Sequence, residues 1–314
     1  MRIVYMGTPD FAVGPLKALC EAGYEIVSVV TQPDRPKGRS GKLVFSPVKE
    51  YAVSRDIEVF QPEKIRTADS VEYLKGLDAD IFVVAAFGQI LSKEVLDIPR
   101  YGCVNIHASL LPLYRGASPI QQALLDGREQ TGVTLMQMDV GMDTGDILMQ
   151  KTIDILNTDT AGTLFDKLME LGSDMIVEAM PLIEEGKLSA TPQDESLASK
   201  VGKLTKEMGR IDWTLDAAYI DRQIRTMDPW PSAYCTYKGK TIKIWKARPI
   251  ENTEQESAYG NIPGTVINVS KSSFVVACGD GLLEVAELQP ESKKRMSAGD
   301  FIRGNHLAVG ERME

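Results

Sequence analysis

The residue types best suited to catalysis lie close together in the stretch from Cys103 to Asp146. Asn105 and His107, which is one of only two histidines in the chain, stand two residues apart at the end of an apolar segment. Alternate side chains of a β-strand point to the same side, so this spacing presents an amide and an imidazole to one site. Asp143 follows His107 by 36 residues, in a turn that contains two glycines. This combination predicts a site that moves protons and stabilises negative charge.

A reaction at an acyl carbon needs three functions that this trio could supply. An asparagine N–H can donate to the developing oxyanion. A histidine, with a reference pKa of about 6.5, can carry a proton near neutral pH, and a carboxylate can fix its orientation and charge. No serine or cysteine nucleophile is required if the acceptor brings its own amine. An Asn-x-His pair with a distant aspartate also arises by chance, so the surrounding residues must decide.

The first part of the chain alternates apolar strands with helices. Strands are predicted at residues 2–6, 25–31, 57–60, 79–86, 101–106, 131–138 and 147–153, the last at or near an edge, and helices at 9–21, 47–54, 118–125 and 160–185. This order predicts an α/β fold with a Rossmann-like, mostly parallel sheet covered on both faces. Its carboxyl edge, where such sheets bind ligands, would receive Asn105 and His107. The first turn, GTPDFAVG, lacks the GxGxxG spacing, which argues against dinucleotide binding.

The second part of the chain predicts a smaller β domain. Residues 186–205 are polar, and short strands then recur at 233–237, 241–247, 264–269, 274–277 and 282–288. This pattern is typical of a small barrel, and an OB-like barrel fits the number of strands. We therefore predict a catalytic domain at 1–189, a linker at 190–206 and a C-terminal barrel at 207–314.

Two basic segments lie outside the central stretch. The segment Thr31–Lys49 contains one acid, Asp34, and its prolines and glycines predict a long loop that binds a polyanion or, alternatively, a solvated linker. Its cations are Arg35, Lys37, Arg39, Lys42 and Lys49. In the later segment YKGKTIKIWKAR, Lys243 and Trp245 should share one face, opposite Ile242 and Ile244. This segment predicts a nucleic-acid surface, with an ordinary solvated barrel face as the alternative.

Composition excludes several classes of protein. A net charge of -9 over 314 residues argues against sequence-blind binding of nucleic acid. The four cysteines are scattered, which predicts small buried residues and neither a zinc site nor disulfides. No apolar run is long enough to span a membrane, and the N-terminus does not resemble a signal peptide, so we predict a cytoplasmic protein that uses no metal. His306 lies in a polar tail and is predicted to be a surface residue.

The central segments NIHASLLPLYRGASPIQ and DVGMDTGD resemble the signature of the folate-dependent formyltransferases. The resemblance implies formyl transfer from 10-formyltetrahydrofolate, with Asn105, His107 and Asp143 as the catalytic set. It also implies a folate site built from SLLP and completed by two neighbouring segments. The implied folate-binding residues are Ser109, Leu110, Leu111, Pro112, Phe87, Gly88, Ile90, Leu91 and Asp139.

Further motifs point to one branch of that family. The resemblance is to members that formylate the methionyl group of initiator tRNA, and it implies a monomeric protein. The motifs that carry it are GTPDFA, TQPDRPKGRSGKL, SPVK, GRIDW, PWP, KIWKA and KKRMSAGDF. The implied tRNA-binding residues are Arg35, Lys37, Arg39, Lys42, Lys243, Trp245 and Lys246. Two alternatives remain open: a formyltransferase or formyl-folate hydrolase acting on a small molecule, with a purely structural barrel, and a non-catalytic nucleic-acid-binding protein.

Overall fold

The computed structural model describes residues 1–37, 42–251 and 262–314. Contacts divide the chain into two compact units. The first unit contains Met1–Ile120, Gln130–Asp154 and Leu164–Gly202, and the second contains Gln121–Glu129, Ile155–Thr163 and Lys203–Glu314. The last boundary therefore falls after Gly202, inside the segment 190–206 that the sequence predicts as a linker.

The first unit is built on a mostly parallel sheet. Its strands are β1 (Arg2–Gly7), β2 (Glu25–Val30), β3 (Arg35–Lys37), β4 (Lys42–Val44), β5 (Val59–Phe60), β6 (Ile81–Ala85), β7 (Cys103–His107), β8 (Arg115–Gly116), β9 (Gln130–Gln137), β10 (Ile147–Asp154) and β11 (Lys200–Val201). Seven of them form one sheet in the order β10-β9-β7-β6-β1-β2-β5. The pairs from β7 to β5 are parallel, whereas β9 is antiparallel to both β7 and β10. The predicted α/β fold and the edge position of β10 are confirmed.

Helices alternate with these strands along the chain. They are α1 (Val13–Glu21), α2 (Pro47–Ser54), α3 (Ala68–Gly76), α4 (Lys93–Leu96), α5 (Pro119–Leu125) and α6 (Ala161–Glu184). The predicted helices are confirmed, although the first begins with a short 3-10 segment at Asp10–Ala12. Helix α3 was not predicted from the sequence. Thr67 marks the start of this helix, because its hydroxyl accepts a hydrogen bond from the Ser70 N–H as an N-cap does.

The core explains why the central strands are continuously apolar. All five residues of β6 and of β7 are buried, as expected for strands covered on both faces. Three cysteines are buried, and burial raises the pKa of the Cys103, Cys235 and Cys278 thiols to about 12. They act as small apolar residues, as predicted, whereas Cys20 is half-buried.

The basic segment Thr31–Lys49 is not a simple loop. β3 and β4 pair antiparallel within it, so the prediction of a long loop is wrong for these residues. Pro36 is compatible with pairing because a proline, which lacks an N–H, is tolerated on an edge strand. Lys49 anchors Asp34, the residue before β3, because its Nζ lies 2.5 Å from Asp34 Oδ2 and 2.7 Å from Gln61 Oε1. This lysine therefore has a structural partner in the single acid of the segment.

Lys49→Met should lower the free energy of unfolding by about 2 kcal/mol, because the Asp34 carboxylate loses a charged donor. Lys49 holds the pKa of Asp34 below its ordinary value. The stabilisation is then complete above the ordinary aspartate pKa of about 3.9 and disappears as pH falls through the lower folded-state pKa.

Urea titrations of both proteins should therefore differ by a constant amount at neutral pH, and the difference should shrink below about pH 4. Lys93→Met is the matched control. Its pair with Asp97 is largely exposed, so it should change stability by less than about 0.5 kcal/mol. An equal effect of both substitutions would contradict the assignment.

The second unit contains an antiparallel sheet. Its elements after residue 203 are α7 (Ala217–Thr226), β12 (Ala233–Tyr237), β13 (Lys240–Ile250), β14 (Val266–Val269), β15 (Phe274–Ala277), β16 (Leu282–Pro290), β17 (Met296–Ser297) and α8 (Ala298–Asn305). The sheet order is β12-β13-β16-β15-β14, and β17 pairs with β16. The small C-terminal β domain is confirmed, and its described pairs form an open path. His306 follows α8 and is exposed, as predicted.

Candidate active site

Strand β7 delivers two polar side chains to the carboxyl edge of the sheet. Asn105 and His107 are 8% and 6% exposed, and they lie opposite Met136 and Thr134 of β9. Within the described ranges, no hydrogen bond satisfies the Asn105 carboxamide. The amide atoms are not among the fully buried unpaired atoms, so they keep some solvent contact and are accessible to a ligand at this edge.

His107 is oriented by a backbone carbonyl. Its Nε2 lies 3.1 Å from the Tyr114 carbonyl oxygen, and its Nδ1 lies 3.8 Å from Asp143 Oδ2. A carbonyl oxygen can only accept, so Nε2 carries the hydrogen and Nδ1 is left as the basic nitrogen. The distance to Asp143 exceeds a hydrogen bond, so this carboxylate acts on the ring as a nearby charge.

The turn that carries Asp143 is held by its own polar groups. Asp143 has a left-handed φ of 56°, and its Oδ2 accepts from the Gly116 N–H at 2.8 Å. Asp139, a predicted folate ligand, uses Oδ1 to accept from the Gly141 N–H and the Thr144 hydroxyl. Gly145 is needed because a Cβ there would collide with the backbone of Gln137. The carboxylate of Asp143 is thus aimed at His107 by the shape of the turn.

The SLLP segment, predicted to bind folate, is partly buried. Ser109 is fully buried and donates from Oγ to the Leu113 carbonyl oxygen, and Leu111 is 3% exposed. Thr134 clamps the segment, because it donates to the Ser109 carbonyl oxygen and accepts from the Leu111 N–H. Ser109 and Leu111 therefore shape the turn, and the side chains with exposed area are Leu110 and Pro112.

The Phe87–Leu91 segment contributes both core and surface. Phe87 and Leu91 belong to the hydrophobic core, whereas Gly88 and Ile90 are exposed, Ile90 by 68%. On the Asp143 turn, Val140 and Met142 are similarly exposed, by 66% and 64%. Large apolar side chains exposed on loops beside polar groups are typical of a site that an apolar ligand covers.

Two family models match the sequence: Formyl transferase over residues 1–180, and Formyl transferase, C-terminal domain, over residues 203–306. The chain belongs to the formyl transferase family. It is 50% identical over 310 residues to the methionyl-tRNA formyltransferases of Agathobacter rectalis and of Lachnospira eligens, in each case over 99% of this chain and 98% of the relative. The family predicted from the sequence is confirmed.

A solved formyltransferase shows the same fold. The N-formyltransferase from Helicobacter canadensis, in complex with folinic acid and dTDP-3-aminofucose, superposes with a TM-score of 0.67. It is 21% identical and covers 92% of this chain, which covers 98% of that one. At this identity the likeness supports the fold alone.

In this formyl transferase His107 lies close to Asp143 and shares a strand face with Asn105, but the sequence did not predict the groups that position them. Tyr114 and Gly116 act through their backbones on His107 and Asp143. In the sequence, the segment YRG indicates only a turn. Gln193, in the predicted linker, donates from Nε2 to the Asp143 carbonyl oxygen at 2.9 Å. A single polar residue in a polar segment offers no signal for such a role.

The predicted tRNA-binding residues are only partly described. Arg39 and the side chains of Lys37 and Lys42 lie outside the described part of the chain. Arg35 is exposed on β3 and Lys246 on β13. The predicted face is confirmed: Lys243 and Trp245 are half-buried, opposite the buried Ile242 and Ile244.

A basic cavity of about 800 Å³ lies in the second unit. Trp245 lines it, donates from Nε1 to Gln289 and is flanked by the Arg295 guanidinium, 4.9 Å from the ring. The cationic residues of the lining are Arg128, Arg222, Arg225, Lys246, Arg248 and Arg295. Acidic side chains, including Asp221 and Glu287, partly balance them.

Other classes of site find no support in the part of the chain that the structure describes. No described helix is both long and apolar enough to cross a membrane. Within residues 1–37, 42–251 and 262–314, no group of three or more His, Cys, Asp and Glu residues could hold a metal ion.

Proposed function

We propose that this enzyme transfers the formyl group of 10-formyltetrahydrofolate to the α-amino group of methionine on initiator tRNA. The observation that carries the proposal is the Asn105 carboxamide, which no described residue satisfies, on the same strand as His107, whose ring lies 3.8 Å from Asp143. The choice of substrates is supported by relatives that are 50% identical over nearly the whole chain and are methionyl-tRNA formyltransferases.

The reaction forms one C–N bond and breaks another. The free amine attacks the formyl carbon, and the carbonyl oxygen becomes an oxyanion that accepts a hydrogen bond from Asn105. Collapse of this tetrahedral species breaks the bond to N10 of the folate. The attacking amine loses one proton and N10 gains one, so a group that takes and returns a proton completes the balance.

The group that takes and returns the proton is Nδ1 of His107. Nε2 is committed to the Tyr114 carbonyl oxygen at 3.1 Å, so the proton from the amine is received at Nδ1. The resulting imidazolium gains the Asp143 carboxylate 3.8 Å away, which favours its charge without a direct hydrogen bond. Tyr114 therefore sets the ring orientation, and Asp143 supplies electrostatic support.

The folate would lie against the exposed apolar side chains on the segments that follow β6 and β9. Ile90, Val140 and Met142 could cover a flat ring, while Leu110 and Pro112 offer the accessible part of SLLP. The transferred carbon must come within reach of Asn105, so the bound folate would have to extend from these surfaces to the trio.

The tRNA would bind through cations and aromatics outside this site. Arg35 and Lys246 are exposed, and Trp245 lies in the basic cavity of the second unit. Phosphates pair with such cations, and aromatic faces accept unstacked bases. Arg39, Lys37, Lys42 and Lys243 stay in the proposal on sequence grounds.

The test supplies 10-formyltetrahydrofolate with four acceptors: methionyl initiator tRNA, methionyl elongator tRNA, free methionine and water. Formylmethionine should appear on initiator tRNA, and its rate should fall steeply with salt because phosphate contacts weaken. Formyl transfer to free methionine alone, or formate release alone, would instead establish the small-molecule enzyme or the hydrolase. No consumption of the folate would leave only nucleic-acid binding.

Arg39→Ala should lower kcat/KM for methionyl-tRNA about tenfold and leave the Kd for the folate unchanged, because it removes a phosphate contact. The matched control is Arg66→Ala, an exposed arginine outside every proposed site. Equal damage to tRNA transfer and folate binding would place Arg39 in the folate site, and no change in either would remove it from the mechanism.

A further inference from the structure

Gln193 binds the catalytic turn from outside it. Its Nε2 donates to the carbonyl oxygens of Asp143 and Gly145, at 2.9 Å and 2.7 Å. Its Oε1 accepts from Nε and Nη2 of Arg115, at 3.0 Å and 2.8 Å. One carboxamide thus uses both its ends to join the turn of Asp143 to a guanidinium.

Arg115 fixes Gln193 in turn. This arginine is 2% exposed, and it forms a two-point pair with Glu195: Nη1 to Oε2 at 3.0 Å and Nη2 to Oε1 at 2.6 Å. The pair lowers the pKa of Glu195 below its ordinary value. A buried guanidinium needs its acceptors in fixed directions, so it holds Gln193 and Glu195 in place.

The backbone continues the same attachment. Residues Gln193–Val201, which we call the strap, run beside the segment 114–117 that positions the catalytic side chains. Tyr114 N and Arg115 N donate to Oγ and O of Ser199, both at 2.8 Å, and β11 pairs in parallel with β8. Gly116 is required here, because its φ is 119° and a Cβ would collide with the carbonyl of Val201.

The backbone of Asp143 is left-handed, a conformation that still costs free energy although aspartate tolerates it better than most residues, so contacts that hold it matter. Gly116 N–H holds its carboxylate, and Gln193 holds its carbonyl. We propose that Gln193 is a positioning residue for the reaction, which fixes the Asp143 carboxylate relative to His107 through the strap. The inference rests on the proposed function for its kinetic consequence only.

The kinetic test uses Gln193→Leu in the full-length protein. With methionyl initiator tRNA as acceptor, kcat should fall about tenfold, since small misplacements are costly, and KM for the folate should change less than twofold. Gln193→Glu should lose at least as much, because it keeps acceptors for Arg115 but turns negative oxygens toward two carbonyls. The matched control, Gln130→Leu, removes an exposed bond to Asp154 and should keep kcat within twofold.

The substitution is repeated in an Asp143→Asn background. If Gln193 acts through Asp143, Gln193→Leu should there change kcat by less than twofold. A tenfold loss in both backgrounds would show a general structural role and overturn the proposal, as would an unchanged kcat in the wild-type background.

A second measurement does not depend on activity. Hydrogen exchange of the Gly116 amide, which donates to Asp143, should accelerate at least tenfold in Gln193→Leu, while the Gln130→Leu protein matches wild type. Unchanged exchange would overturn the positioning role. If the wild-type protein formylates no tRNA but the exchange still accelerates, the proposed function fails and the positioning of Asp143 stands.

Discussion

Replacing Asn105 with alanine is expected to lower kcat by about 10²–10³-fold, the loss typical for one oxyanion donor. The carboxamide is 8% exposed at the carboxyl edge of the sheet, and no described residue satisfies it. Its N–H groups are therefore available to the oxygen that becomes negative in the tetrahedral species. Because the donor acts mainly in the transition state, KM for both substrates should change little.

Stability separates this role from a structural one. An amide that the fold does not pair contributes little to folding, so Asn105→Ala should unfold within about 1 kcal/mol of wild type in urea. Thr134→Val is the contrasting control. The Thr134 hydroxyl bonds to Ser109, Leu111 and Gln150, and its loss should cost about 1–3 kcal/mol. A large stability loss with near-normal kcat in Asn105→Ala would assign the amide to the fold.

The part of the site that could be predicted is the part encoded locally. Continuous apolar residues identify β6 and β7 as central strands, and strand alternation places Asn105 and His107 on one face. The same alternation predicted the face shared by Lys243 and Trp245 on β13. In each case one short segment contains the whole signal.

The groups that complete the site are encoded by backbone geometry and by distant contacts. The Tyr114 carbonyl and the Gly116 N–H are backbone groups, which nearly all residue types carry, so the residue types do not reveal their roles. Gln193 stands 50 residues from Asp143, in a segment whose polar composition is that of a linker. Hydropathy cannot distinguish polar residues that face water from polar residues that bind another segment.

The prediction of a long loop at the basic segment Thr31–Lys49 was wrong for a related reason. Proline and glycine predict a loop because they disfavour helices and central strands, yet a proline such as Pro36 is compatible with a paired edge strand. The ion pair of Asp34 with Lys49 is completed by Gln61, which lies beyond the segment and bonds to both side chains. Lys49 therefore has a structural role, and the other cations of this segment are candidates for tRNA contact.

His107→Ala is expected to lower kcat by about 10²–10⁴-fold, because the attacking amine loses its proton carrier. His306→Ala is the matched control, since it removes the only other histidine, which is exposed after α8. His107→Gln is a sharper variant: its amide can still donate to the Tyr114 carbonyl oxygen but offers no base in place of Nδ1. It should fold normally and remain as inactive as His107→Ala.

The protonated nitrogen itself can be observed. With only two histidines in the chain, ¹⁵N NMR resolves both rings, and His107 should carry its hydrogen on Nε2 in the neutral form. The opposite tautomer would place the basic nitrogen against the Tyr114 carbonyl, where it could not receive a proton from the amine. Normal turnover of His107→Gln, or hydrogen on Nδ1 alone, would therefore reject the proton path, whereas Nε2–H with an inactive glutamine variant leaves Nδ1, beside Asp143, as the base.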